Sequence, residues 1–250
     1  RKYISALIIK DFLCVLFCMV IVTSFNRIFG EDNSIVGVVT VILLLTFRFS
    51  NLNFNVKQSA IALFGIFIIY IISPYFASIS NPIIGSIINF FSIMIIIILS
   101  CHRVELANQS TLVLSYLLLY GYEVNDFKGY INRIFGLILG GIIVSGIFYY
   151  KQRKNKFENT FITIIKDISI NDNRTKWQIK LALGICSAML IGEILNLPRT
   201  IWIGFSCMSI LQPTAEKLEF RYKKRPIYVV LGSIMFGIVY LVLPDRKSTR

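Results

Sequence analysis

Nine apolar runs separated by short polar loops set the pattern of this chain. They cover 4–29, 34–47, 60–79, 82–101, 109–121, 131–150, 179–197, 200–212 and 226–244. Several are dense in β-branched residues; 83–99 reads IIGSIINFFSIMIIIIL. In water such residues favour strands. These runs, however, do not alternate apolar and polar positions, and most approach the ~20 residues that a helix needs to cross a bilayer. A helix satisfies its own backbone hydrogen bonds in hydrocarbon, which an open strand cannot do. The pattern predicts an all-α polytopic membrane protein with about nine transmembrane or partly spanning helices.

One polar stretch of any length interrupts the runs, 151–178 (KQRKNKFENTFITIIKDISINDNRTKWQ). Phe157, Phe161, Ile164, Ile165 and Ile168 fall in it at helical spacing. This predicts a short amphipathic helix on the membrane surface, ending near Asn171, Asp172 and Asn173. The chain divides into a first membrane unit, 1–150, of six spans; the surface segment, 151–178; and the start of a second unit, 179–244. The last six residues, 245–250 (DRKSTR), break the character of the run before them and read as a non-native tail. The chain is read as a piece of a longer protein, with its second unit truncated.

Composition and charge narrow the class. Of 250 residues, 56% are hydrophobic and 16% charged, which excludes a soluble domain of this size. The net charge of +13 sits in loops rather than on one folded face, so it argues for membrane orientation and against nucleic acid. With the N-terminus cytoplasmic, the inner segments hold most of the Lys and Arg. The outer segments hold Arg27, Lys128, Arg133 and Arg199 beside Glu31, Asp32, Glu123 and Asp126. That is the positive-inside pattern. Five cysteines without a CxxC, and one histidine, give no zinc site. No cofactor is implied, and no HExxH, GxSxG or P-loop signals an enzyme.

A shift of 166 residues aligns 34–61 with 200–227 without gaps, pairing Leu45 with Leu211, Phe54 with Phe220 and Lys57 with Lys223. Span lengths and loop charges correspond too, and an even number of spans separates the copies. This predicts two parallel repeats. Short or broken hydrophobic segments at corresponding positions of two halves mark substrate paths in secondary transporters. Here they are 34–47 and 200–212. At 1.5 Å rise, about 14 residues of helix reach only about 21 Å.

The second of these segments carries a resemblance. Trp202, then Ile210, Leu211, Gln212 and Pro213, then a polar loop and Arg225 with Gly232 seven residues on, are similar to the repeat signature of the fusaric-acid-resistance-like (FUSC) family. These are membrane transporters also called aromatic acid exporters. Tyr228 and Val229 stand where the family has Gly-Thr. Arg133, Gly136 and Gly140 repeat the Arg-x-x-Gly spacing in the first half. Plant aluminium-activated malate transporters share the general pattern, so the resemblance implies an anionic substrate.

Candidate residues follow. Arg225, read as opening its span, is a candidate to hold an anion or pair with a carboxylate. Gln212, Pro213, Trp202, Lys57 and Arg133 are further candidates for the substrate path. Arg27 and Glu193, equivalent under the shift, are a candidate gate pair. Gly136, Gly140 and Gly232 are small-residue packing positions. His102 is a weak candidate for proton coupling. Arg221, Lys223 and Lys224 read as cytoplasmic anchors. The expectation is a bacterial inner-membrane exporter of small organic, aromatic acids. Its partners are the lipid bilayer, the anion and a homo-oligomer. The alternatives are an anion channel of the same architecture and a non-transporting scaffold or sensor.

Overall fold

The computed structural model describes residues 2–124, 126–197 and 199–242. The tail 245–250 lies outside them. Ten α-helices occur among the described residues: α1 (Lys2–Phe29), α2 (Ser34–Phe47), α3 (Val56–Ile79), α4 (Pro82–Ser100), α5 (Gln109–Gly121), α6 (Phe127–Gln152), α7 (Phe161–Lys166), α8 (Asn173–Ile194), α9 (Ile201–Ile210) and α10 (Ala215–Val242). Each of the nine apolar runs contains a helix. Among the described residues, five stretches are long and apolar enough to cross a membrane: Asp11–Phe29 of α1, then α3, α4, α6 and α8.

The short helices survive because they lie behind the long ones. In α2, Val36, Val39 and Leu43 have no exposed surface, and in α5 neither do Leu112, Val113, Tyr116 and Leu117. Both are thus screened from lipid by α1, α3, α4 and α6, and neither has to span it. The α5 helix touches both α2 and α9. A 166-residue shift carries α1 and α2 onto α8 and α9, and each long helix packs against its short partner.

Glycines set the closeness of this packing. A Cβ on Gly140 would run into Thr40 Oγ1 and meet Phe67 at 3.3 Å; one on Gly136 would meet Val36 at 3.3 Å. The small-residue face of α6 therefore seats α2 and α3. Gly232 does not pack in this way: among the described residues nothing lies within 4 Å of its Cβ position. Its helix, α10, packs against α9, and its described apolar residues are exposed.

Buried polar groups tie the long helices to the short ones. Tyr70 Oη donates to the Leu112 carbonyl at 2.7 Å, and Tyr116 Oη to Asn89 Oδ1 at 2.6 Å. Pro74 breaks the ladder of α3; beside the break, the Ile71 carbonyl accepts from Tyr130 Oη at 3.0 Å.

Two expectations need correction. The amphipathic surface helix is only α7, six residues long, and it ends at Lys166 rather than near 171–173. Residues 153–154 form a turn, and 155–160 have no regular secondary structure. They bond to the loop before α3, with Asn55 N donating to the Asn159 carbonyl at 2.9 Å. The last helix begins at Ala215, not at 226. Its first turns (AEKLEFRYKKR) are made of good helix formers, and the Lys223–Glu219 pair at 2.6 Å supports them at i,i+4 spacing. Pro226 consequently lies inside the helix rather than at its start.

Candidate functional site

The loops fall at two ends of the bundle. One end is basic and gathers 48–55, 101–108, 153–172 and 211–214. The other gathers 30–33, 80–81, 122–126 and 195–200. At this second end a cavity of about 440 Å³ opens between the turn after α3, the end of α5, the end of α8 and the start of α9. Tyr120, Tyr122 and Trp202 give it aromatic walls, and Ser78 and Ser80 add hydroxyls. Glu123, Glu193 and Arg199 supply its charges. Glu193 Oε1 accepts from Tyr120 Oη at 2.7 Å, which fixes both groups at the cavity floor.

Local sequence builds this place. The α5 helix ends at Gly121, whose missing side chain lets Ile201 of α9 pack directly against it. The chain re-enters α9 through Asn196 and Arg199, both with positive φ (50° and 58°). Arg199 lines the cavity, with Trp202 in the first turn of α9. Trp202 packs edge-on against Phe205, with centroids 5.6 Å apart, and stays 57% exposed.

Behind Ser78, Tyr120 and Glu123 lies a second, water-sized chamber of about 20 Å³. Arg133 lines it and is only 6% exposed. Its Nε donates to Asn33 Oδ1 at 3.1 Å, Nη2 to the Asp32 carbonyl at 3.2 Å, and Nη1 to the Leu119 carbonyl at 3.5 Å. Asn33 Nδ2 in turn donates to the Phe29 and Gly129 carbonyls. One guanidinium thus joins α6 to the ends of α1 and α5 and the start of α2.

The Glu123 carboxyl is drawn above the usual carboxylate range. Partial burial is the first cause and the nearby Glu193 the second, with Arg133 opposing. Its ionisation therefore works against the fold. Stability on this account is greatest below the unfolded pKa and is lost as pH rises through the folded one. The same shift holds a proton in the cavity at a higher pH than a free glutamate would.

Other sequence candidates lie elsewhere. Arg225 is eleven residues into α10, not at a helix start. Arg221 and Arg225, one turn apart, reach across to the end of α9, donating to the Ser209 carbonyl at 3.0 Å and the Ser206 carbonyl at 3.3 Å. Gln212 Nε2 also donates to the Ser209 carbonyl, and Trp177 Nε1 to the Leu211 carbonyl. Of these, the Ser209 carbonyl is one that the end of α9 leaves open. Pro213 follows in the loop.

Arg27 and Glu193 form no ion pair. Glu193 is bound to Tyr120, while Arg27 is exposed on α1. Their helices have different neighbours: α8 packs on α4 and α9, α1 on α2 and α6. His102 holds α8 at the basic end. Arg174 Nη1 lies 3.0 Å from its Nδ1, and burial, then the Arg174 charge, hold the imidazole below its usual range. Such a histidine is neutral near pH 7 and accepts from Arg174, a structural duty. Lys57 lines a separate basic pocket beside α6.

Residues 187–249 match the family model described as fusaric acid resistance protein-like. This stretch is similar to that family. It comprises the last turns of α8, all of α9 and α10, and it contains Trp202, Gln212, Pro213 and Arg225. The match and the long apolar helices together make the chain a transporter-like, multi-pass membrane protein. No curated protein and no solved structure matches it. The fusaric acid resistance protein-like stretch gives the cavity Glu193, Arg199 and Trp202. Tyr120 and Glu123 come from α5 and its loop, outside the matched residues. Glu123 and Tyr120 were not singled out from sequence; their signal is the cluster Tyr120-Gly121-Tyr122-Glu123 at the end of a short helix.

Proposed function

We propose that this chain belongs to a transporter that moves small organic acids, aromatic carboxylates among them, outward across the bacterial inner membrane. The observation that carries the reading is the aromatic-walled cavity of about 440 Å³ between α5 and α9, with one arginine and two carboxylates. Its size lies within the range of small-molecule sites. The basic end faces the cytoplasm by the positive-inside rule, so the cavity faces outward. Arg199 pairs with a substrate carboxylate through its forked donors. The rings of Trp202, Tyr120 and Tyr122 hold an aromatic body. Glu123 and Glu193 repel the anion when both are charged, and a proton held on Glu123 eases its entry. The two parallel repeats form the walls of the path.

Expression of the full-length gene in an efflux-deficient strain is expected to lower accumulation of labelled hydroxybenzoates below the vector control. Arg199→Ala is expected to abolish most of that difference. Arg225→Ala, whose side chain is engaged with α9, is expected to preserve it. Accumulation equal to the vector control, with the protein present in the membrane, contradicts the reading.

A further inference from the structure

At the basic end, α3 and α6 run side by side and leave a groove with two compartments. The first, about 450 Å³, is lined by Asn55, Lys57, Tyr149, Arg153 and Lys156, among others. The second, about 390 Å³, is lined by Ala60, Ile61, Phe64, Ile142, Gly146 and Tyr149, with Ser145. Tyr149 borders both, so the compartments adjoin along the helix axes. The first offers three cations and no carboxylate among its lining residues. The second has no charged group at all.

The basic compartment has fixed walls. Residues 152–161 are bonded to the loop and first turn of α3. Asn159 Nδ2 donates to the Asn53 carbonyl at 3.2 Å, Phe161 N to Gln58 Oε1 at 2.8 Å, and Gln152 Nε2 to the Ser50 carbonyl at 3.3 Å. The ion pairs found among the described residues use Arg174 with Asp172 and Lys223 with Glu219, so Lys57, Arg153 and Lys156 keep their charges available. Arg153 is steadied over the Tyr150 ring, 4.6 Å from its centroid. In the apolar compartment, nothing lies within 4 Å of a Cβ position on Gly146, so the groove is open along α6.

We propose that this groove binds an anionic glycerophospholipid of the cytoplasmic leaflet. Its phosphate sits among Lys57, Arg153 and Lys156, and one acyl chain lies along Ile61, Phe64 and Gly146. Basic pockets between helices at the cytoplasmic surface suit anionic headgroups. The uncharged second compartment is what selects a lipid over a free anion, because a free phosphate or carboxylate has nothing to place there. The proposal shares with the transport reading only its membrane orientation and is measured without transport.

The test is thermal unfolding of the purified chain in neutral detergent, with dioleoylphosphatidylglycerol, dioleoylphosphatidylcholine, glycerol 3-phosphate or inorganic phosphate added. The phosphatidylglycerol is expected to raise the melting temperature, and the other three are not. The triple variant Lys57→Gln, Arg153→Gln, Lys156→Gln is expected to weaken the phosphatidylglycerol titration roughly 100-fold, since each surface cation is worth about fivefold. Gly146→Leu, which keeps every charge and fills the apolar compartment, is expected to abolish the shift while leaving the lipid-free melting temperature at or above the native one. An equal response to glycerol 3-phosphate or phosphate overturns the proposal in favour of a small-anion site. So does an unaltered phosphatidylglycerol response in either variant, or none in the native chain.

Discussion

Replacement of Arg133 by methionine is expected to destabilise the bundle by about 3–5 kcal/mol. The side chain is 6% exposed and serves Asn33 Oδ1 and the carbonyls of Asp32 and Leu119. Each buried acceptor left without a donor costs about 1–3 kcal/mol, and the 3.5 Å bond to Leu119 counts least. Methionine fills much of the volume, so the loss isolates the hydrogen bonds rather than a cavity. Lysine is expected to recover less than half of the loss. Its single ammonium cannot reach three acceptors that a planar fork reaches together. Unfolding in mixed micelles, followed by the fluorescence of Trp177 and Trp202, measures the difference. A methionine variant within ~0.5 kcal/mol of the native chain contradicts the assignment of Arg133 as the tie between α1, α2, α5 and α6.

The second large effect falls on Glu193. Glutamine in its place still accepts from Tyr120 but carries no charge. One of the two charges that repel the anion is removed while Arg199 is kept, so Glu193→Gln is expected to bind labelled hydroxybenzoate several-fold more tightly at neutral pH. The companion Glu123 adds a direction: burial and Glu193 both raise its carboxyl above the usual range. Removal of the Glu193 charge leaves burial as the main cause, so the pH at which binding is half-maximal is expected to fall. Unaltered affinity and pH dependence in Glu193→Gln contradict an anion-repelling carboxylate pair in this cavity.

The helices were legible because hydrocarbon length and loop charge act locally along the chain. The runs 34–47 and 109–121 are α2 and α5 to the residue, and their shortness already marked α2 as an element that cannot cross alone. Less legible was what depends on side chains meeting across the bundle. Arg225 looked like a helix opener because Pro226 and the apolar run follow it. Good helix formers upstream carried α10 back to Ala215, and the arginine turned to the end of α9. Arg27 and Glu193 correspond under the 166-residue shift. A shift in sequence does not say which neighbour each side chain meets, and Tyr120 claims Glu193. Arg133 was visible by its Arg-x-x-Gly spacing, but its partners are mostly backbone carbonyls, which no residue pattern records. The α7 segment ends at Lys166, and Ile168 and Ile170, apolar by type, lie beyond it and stay exposed.

The central claim is that an outward-facing cavity between α5 and α9 holds the organic acid. Labelling of Trp202→Cys tests it directly, with Cys14, Cys18 and Cys207 replaced by alanine and the buried Cys101 and Cys186 kept. A membrane-impermeant maleimide added to intact cells is expected to label this thiol from outside. Hydroxybenzoate is expected to slow the labelling in proportion to its concentration, while an uncharged phenol is not. Labelling that appears only after the membrane is opened, or that proceeds at one rate with and without the acid, contradicts the account.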